Sequence, residues 1–156
     1  MDSRKAIRDY CDLAFDVDDE MSLMATASQI KAEQLALKSG EPSWSVEEIL
    51  WHVGFWKLEY CRQGFALEAP AWKWPKGDMP EILKTLRVAH QHMLACLANC
   101  SAADLEKSVP TKCHGESAAH LFSVLAMHDI AHAAQLRAIL RGAGVRKGGW
   151  YPIEMK

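Results

Sequence analysis

Apolar residues recur at three- and four-residue steps along four stretches of the chain, which predicts four amphipathic helices. The first stretch runs from about Ser3 into the mid-twenties, with Ile7, Tyr10, Cys11, Ala14, Val17, Met21 and Met24 on its stripe. Asp16, Asp18, Asp19 and Glu20 form an acidic group within it, read as a solvated face. The pattern leaves open whether this helix continues or restarts through residues 28–37. The second helix has a well-marked start. Ser45 and Glu48 have the spacing of a capping box, and Trp44 and Ile49 fit a hydrophobic staple around it. Val46, Ile49, Val53, Trp56 and Tyr60 form its stripe to about Gln63, with His52 on the flank.

Residues 64–78 contain Pro70, Trp72, Trp74, Pro75 and Gly77, which reads as a connection covering one end of a bundle in the manner of a lid. Pro80 suits the first turn of a third helix, whose stripe is Ile82, Leu86, Ala89, Met93 and Cys96. A polar connection over 101–115 leads to a fourth helix over 117–141, closed by Gly142 and Gly144. No strand pattern or internal repeat is present. The expected fold is all-α, a four-helix bundle formed by a single domain over 1–156.

Composition narrows the partners. An apolar share of 49% with 24% charged residues is that of an ordinary globular chain. A formal charge of -2 and a pI near 6.4 argue against a nucleic-acid partner. No apolar run is long enough to span a membrane, and no h-region follows the N-terminus, so a cytoplasmic protein is expected. The cysteines Cys11, Cys61, Cys96, Cys100 and Cys113 read mainly as reduced packing residues.

The candidate chemistry lies on the fourth helix. His128 and His132 are four apart, on one face. Leu121, His128 and Gln135 are spaced by seven, as are Leu125, His132 and Ile139, and the two rows merge into one inward seam. A buried imidazole without a partner costs ~1–3 kcal/mol, so this polar cluster needs a shared partner. A metal ion held with His52 supplies one, and a histidine–glutamine hydrogen-bond network is the alternative. Three nitrogen ligands with a further position open is the pattern of catalytic zinc, although nickel, copper and iron also accept imidazole. Gln135 is the candidate to hold a ligand or substrate, and His90 is the reserve ligand. Asp129 points about 100° from His128 and is expected to be exposed or paired with another helix. Arg137 and Arg141 complement the helix dipole. His120, and the loop pair Cys113 and His114, are weaker candidates for the site. Trp51 and Trp56 are read as packing, and Trp72, Trp74 and Trp150 as core caps or pocket lining.

Trp44-Ser45-Val46-Glu47-Glu48-Ile49-Leu50-Trp51-His52 resembles the W-S-x-x-E-x-x-x-H opening of helix two in the DinB/YfiT-like family. His128-Asp129-Ile130-Ala131-His132-Ala133-Ala134-Gln135-Leu136-Arg137, followed by Gly142, resembles that family's H-x-x-x-H-x-x-Q-(L/I)-R…G ending, with Ala134 where a glycine is usual. The resemblance implies an up-down-down-up bundle, often a homodimer, with a divalent metal on three histidines that map onto His52, His128 and His132. A small-molecule substrate is expected, with a low-molecular-weight thiol as the candidate. Characterised relatives include S-transferases and an isomerase that use low-molecular-weight thiols, and proteins labelled metal-dependent hydrolases. No carboxylate sits on the seam as a general base, which favours thiol over water activation. A non-catalytic metal-binding or stress-response bundle, acting as a dimer, is the alternative.

Overall fold

The computed structural model describes residues 3–18, 21–40, 42–110 and 117–145. Asp19, Glu20, Cys113, His114 and Trp150 therefore lie outside the described residues. The long helices are α3 (Val46–Gly64), α4 (Met79–Asn99) and α6 (Ala118–Gly142), close to the bounds their stripes predict. Among the described residues there are no strands, only the isolated bridges Lys38–Ser45 and Ser108–Ser117.

Each long helix begins where a side chain satisfies its free amides. Ser45 Oγ accepts from Glu48 N–H at 3.3 Å, and Glu48 Oε2 accepts from Ser45 N–H at 2.7 Å. Asp78 caps α4 by accepting from Glu81 N–H at 3.2 Å, and Ser117 caps α6 by accepting from His120 N–H at 3.3 Å. The C-terminus of α6 closes through Gly144 at φ +71°, with Val145 N–H donating to Leu140 O at 2.9 Å.

The N-terminal stretch is less regular than its stripe predicts. Helix α1 (Ser3–Asp12) passes into a π-helical turn over Leu13–Val17 and stops at Asp18. The Asp18 carboxylate accepts from Met21 N–H at 2.5 Å, and Ser22 Oγ accepts from Ala25 N–H at 3.2 Å. These side chains offer the backbone local partners that compete with a continuous helix, so the chain restarts as the short α2 (Leu23–Ala27). Residues 28–37 form no further α-helix, only a 3₁₀ turn at Ala32–Gln34. Their backbone serves α3 instead. Val46 N–H donates to Leu37 O at 2.9 Å and Glu47 N–H to Leu35 O at 3.0 Å. These are two of the amides a helix start leaves unpaired. A short α5 (Ala102–Leu105) precedes α6.

Contacts along the helices fix their directions. Gly54 faces Leu86 and Lys57 meets His90, so α3 and α4 run parallel. Gly64 faces Leu121 while His52 meets His128, so α6 runs against α3. Cys11 meets Phe122 and Arg137 meets Met21, which places the N-terminal segment parallel to α6. The topology is up-down-down-up. Parallel neighbours require a connection that returns the length of α3, about 28 Å.

Residues 65–78 are that return. They run back along α3 rather than covering one end of the bundle. The Trp72 indole lies against Gly54 so closely that a Cβ there would be 2.5 Å from Cη2. Trp74 Nε1–H then donates to Glu47 Oε1 at 3.2 Å, at the opposite end of the helix.

Two apolar clusters fill the bundle. One contains Phe15, Leu23, Ile49, Val53, Ile82, Leu86, Leu136 and Leu140, and the other contains Cys61, Met93, Cys96, Leu97, Leu121, Phe122 and Leu125. Along α3, α4 and α6 the change from one to the other falls at Lys57, His90 and Asp129, all buried. The four described cysteines are free and buried, as expected of packing residues.

Candidate metal centre

Three histidine side chains converge in the half of the bundle where α3 begins. His52 comes from the second turn of α3, and His128 and His132 come from successive turns of α6. His128 Nε2 lies 3.0 Å from His52 Nε2 and 3.2 Å from His132 Nε2. The three ligand atoms all fall within 4.8 Å of one another. Nitrogens held ~2.0–2.1 Å from one ion sit roughly 2.9–3.4 Å apart in tetrahedral or octahedral geometry, so both distances at His128 are those of ligands sharing an ion.

The protonation states agree with that geometry. Burial is the main cause that lowers all three imidazole pKa values, His52 to about 4 and His128 to about 3, with neighbouring histidines adding to both. All three are therefore neutral at pH 7, the form that ligates metals. Gln135 Oε1 accepts from His132 Nδ1–H at 2.9 Å, which directs the lone pair of His132 Nε2 at the other imidazoles. His128 Nδ1 is buried without a hydrogen-bond partner. Nitrogen lone pairs facing one another across 3.0–3.2 Å repel unless a proton or a cation lies between them. Divalent metal binding fits these residues.

Aromatic rings bound the cluster. Trp44, 47% exposed, lies with its ring 4.5 Å from that of His52 and 6.5 Å from that of His132. The position before the cap thus lies beside two of the histidines. Trp56 meets His52 edge-on at 6.2 Å. Glu48 stays in its capping box, and Glu47 accepts from Trp74 and from Gly77 N–H.

The inward row of α6 differs from the expected seam. Its deepest positions are Ala126, Asp129, Ala133, Leu136 and Leu140, whereas His128, His132 and Gln135 are half-buried on the flank toward α3. Asp129 is fully buried and paired with another helix, through Lys57 Nζ at 2.6 Å from Oδ2. Helical periodicity alone does not single out Lys57 as a functional residue. The available signal was its place in the apolar row Ile49–Val53–Lys57–Cys61, matched by an acidic residue in the row Ala126–Asp129–Ala133.

His90 does not join the three imidazoles. It stacks on Phe15 at 3.9 Å, with Nε2 3.0 Å from Asp12 Oδ1 and Nδ1 3.4 Å from Lys57 Nζ. His120 is exposed at the start of α6, two turns before His128. Arg137 has a tertiary role beyond the helix dipole, donating to Met21 O at 3.1 Å and Thr26 Oγ1 at 2.9 Å.

An all-α bundle with three neutral imidazoles facing one point is the class of protein that fold and site define. The family model of the DinB superfamily matches residues 17–136, a span that includes all three histidines, and the chain belongs to that superfamily. No curated protein and no solved structure matches it at a significant level.

Proposed function

We propose that this protein is a metal-dependent enzyme in which His52, His128 and His132 hold one divalent ion, zinc or nickel, to activate a low-molecular-weight thiol for transfer to a small-molecule electrophile. The observation that carries the reading is the convergence of three Nε2 atoms, with His128 at 3.0 and 3.2 Å from its partners. When bound, such an ion supplies Lewis acidity and an open position at which a thiol loses its proton near neutral pH. Gln135 fixes the tautomer of His132, and the Trp44 and Trp56 rings pack beside His52.

Thiol activation is favoured over hydrolysis because the nearby carboxylates are engaged elsewhere. Glu48 caps α3, Glu47 holds the returning segment, and Asp129 is paired with Lys57. Among the described residues, no carboxylate oxygen joins the imidazole nitrogens. A hydrolase would want a base there to deprotonate its water.

Metal analysis of the purified protein is expected to find about one ion per chain, lost in His128→Ala. Stoichiometry unchanged by that substitution overturns the site. Consumption of a low-molecular-weight thiol against a generic electrophile is then followed with and without chelator. Chelator-sensitive turnover supports the transferase. A bound ion with chelator-independent rates leaves a metal-binding bundle that is not this enzyme.

A further inference from the structure

Below the histidines a second polar constellation crosses the bundle, with one residue from each of α1, α3, α4 and α6. Asp12 Oδ1 accepts from His90 Nε2–H at 3.0 Å. His90 Nδ1 accepts from Lys57 Nζ at 3.4 Å, and Lys57 donates to Asp129 Oδ2 at 2.6 Å. The Lys57 and Asp129 side chains are each 1% exposed. The Phe15 face lies 4.5 Å from the ammonium, so its three N–H groups meet a carboxylate, an imidazole lone pair and an aromatic face.

Stability does not account for this arrangement. Taking two charges out of water costs several kcal/mol per ion, and well-packed apolar replacements of such pairs are often neutral or stabilising. What a buried pair supplies that an apolar contact lacks is register. A slip of one residue moves a helical position ~1.5 Å along its axis and ~100° around it. That would take the ammonium off the carboxylate. Leucines and methionines tolerate such a shift far better.

The pair also joins the two helices that carry the candidate ligands. Lys57 follows His52 by five residues on α3, and Asp129 is the neighbour of His128 on α6. His90 and Asp12 hold the ammonium from the opposite side, so α1 and α4 set its position as well.

We propose that Lys57 and Asp129 are positioning residues for the metal centre, their buried pair fixing the register of α3 against α6 so that His52 meets His128 and His132. This rests on the metal-site reading above.

The test compares wild type with Lys57→Met/Asp129→Leu in the full chain, with Lys57→Gln/Asp129→Asn as a second variant should the first not fold. Zinc affinity is read by competition with a chromophoric chelator, thermal midpoint by circular dichroism, and imidazole resonances by NMR in the metal-free protein. The expected result is zinc affinity weakened ~10-fold or more, because ligands held off their productive geometry share an ion poorly. The thermal midpoint stays within a few degrees of wild type, and the His52 and His132 resonances move or broaden. Affinity within two-fold of wild type overturns the proposal, and so does a loss that merely tracks the midpoint. If wild type binds no zinc, the metal reading fails by itself. The imidazole resonances then decide the positioning role, and unchanged resonances overturn it.

Discussion

At Gln135 a single hydrogen bond determines which nitrogen of His132 carries its proton. Its Oε1 accepts from Nδ1–H at 2.9 Å, leaving Nε2 as the lone pair that faces His128. Gln135→Leu removes the acceptor with little change in volume. Zinc affinity is expected to fall by ~10-fold or more, read by chelator competition, with the fold intact by circular dichroism. An unchanged affinity would show that the tautomer is set otherwise. Gly54 is the other residue where one atom decides. A Cβ there would meet Trp72 Cη2 at 2.5 Å and Leu86 Cδ2 at 3.1 Å. Gly54→Ala is expected to lower the urea-unfolding free energy by ~1–3 kcal/mol, because the indole must leave its seat on α3. A neutral or stabilising effect, from better helix propensity, would mean that the returning segment gives way freely.

At the level of the elements, the start of α3 carries more than its own helix. Ser45 and Glu48 cap it reciprocally, the 35–37 backbone takes the Val46 and Glu47 amides, and His52 follows less than two turns on. Ser45→Ala is expected to cost ~1 kcal/mol and to speed amide exchange in the first turn of α3. Exchange confined to wild-type rates would argue that the 35–37 backbone holds the helix start alone. The capping box was legible from sequence because it depends on four consecutive residues. The break at Asp18 was not. The stripe continues through it at helical spacing, and only the local hydrogen bonds of Asp18 and Ser22 end the helix.

For the whole molecule, the buried histidines set the response to acid. His90 and His52 are lowered to about 4 and His128 to about 3, chiefly by burial, whereas an unfolded histidine titrates near ~6.5. Well above pH ~6.5 these groups are neutral in both states and contribute no pH dependence. As pH falls from there toward 4, the unfolded chain takes up protons that the native state refuses, and stability drops. The slope approaches ~1.4 kcal/mol per pH unit for each histidine that is protonated in the unfolded chain and neutral in the native one. Denaturant unfolding of the metal-free protein at pH 7, 6 and 5 should show this decline. A flat profile would mean that the native histidines protonate freely.

The sequence by itself determined the long helices, their caps, the all-α bundle and the pairing of two histidines on one helical face. These depend on short-range spacing and local hydrogen bonding, which the order of residues states directly. Tertiary structure alone decided how α6 is rotated. Periodicity placed His128 and His132 on the central seam, but Asp129 takes the centre because Lys57, 72 residues away in the chain, meets it there. The same rotation turns the imidazoles toward α3, where His52 waits, and sends His90 to Asp12 instead. The parallel run of α3 and α4 likewise made the tryptophan-rich segment a return along α3. A buried ion pair that fits at one register alone distinguishes among rotations that hydrophobic spacing left open.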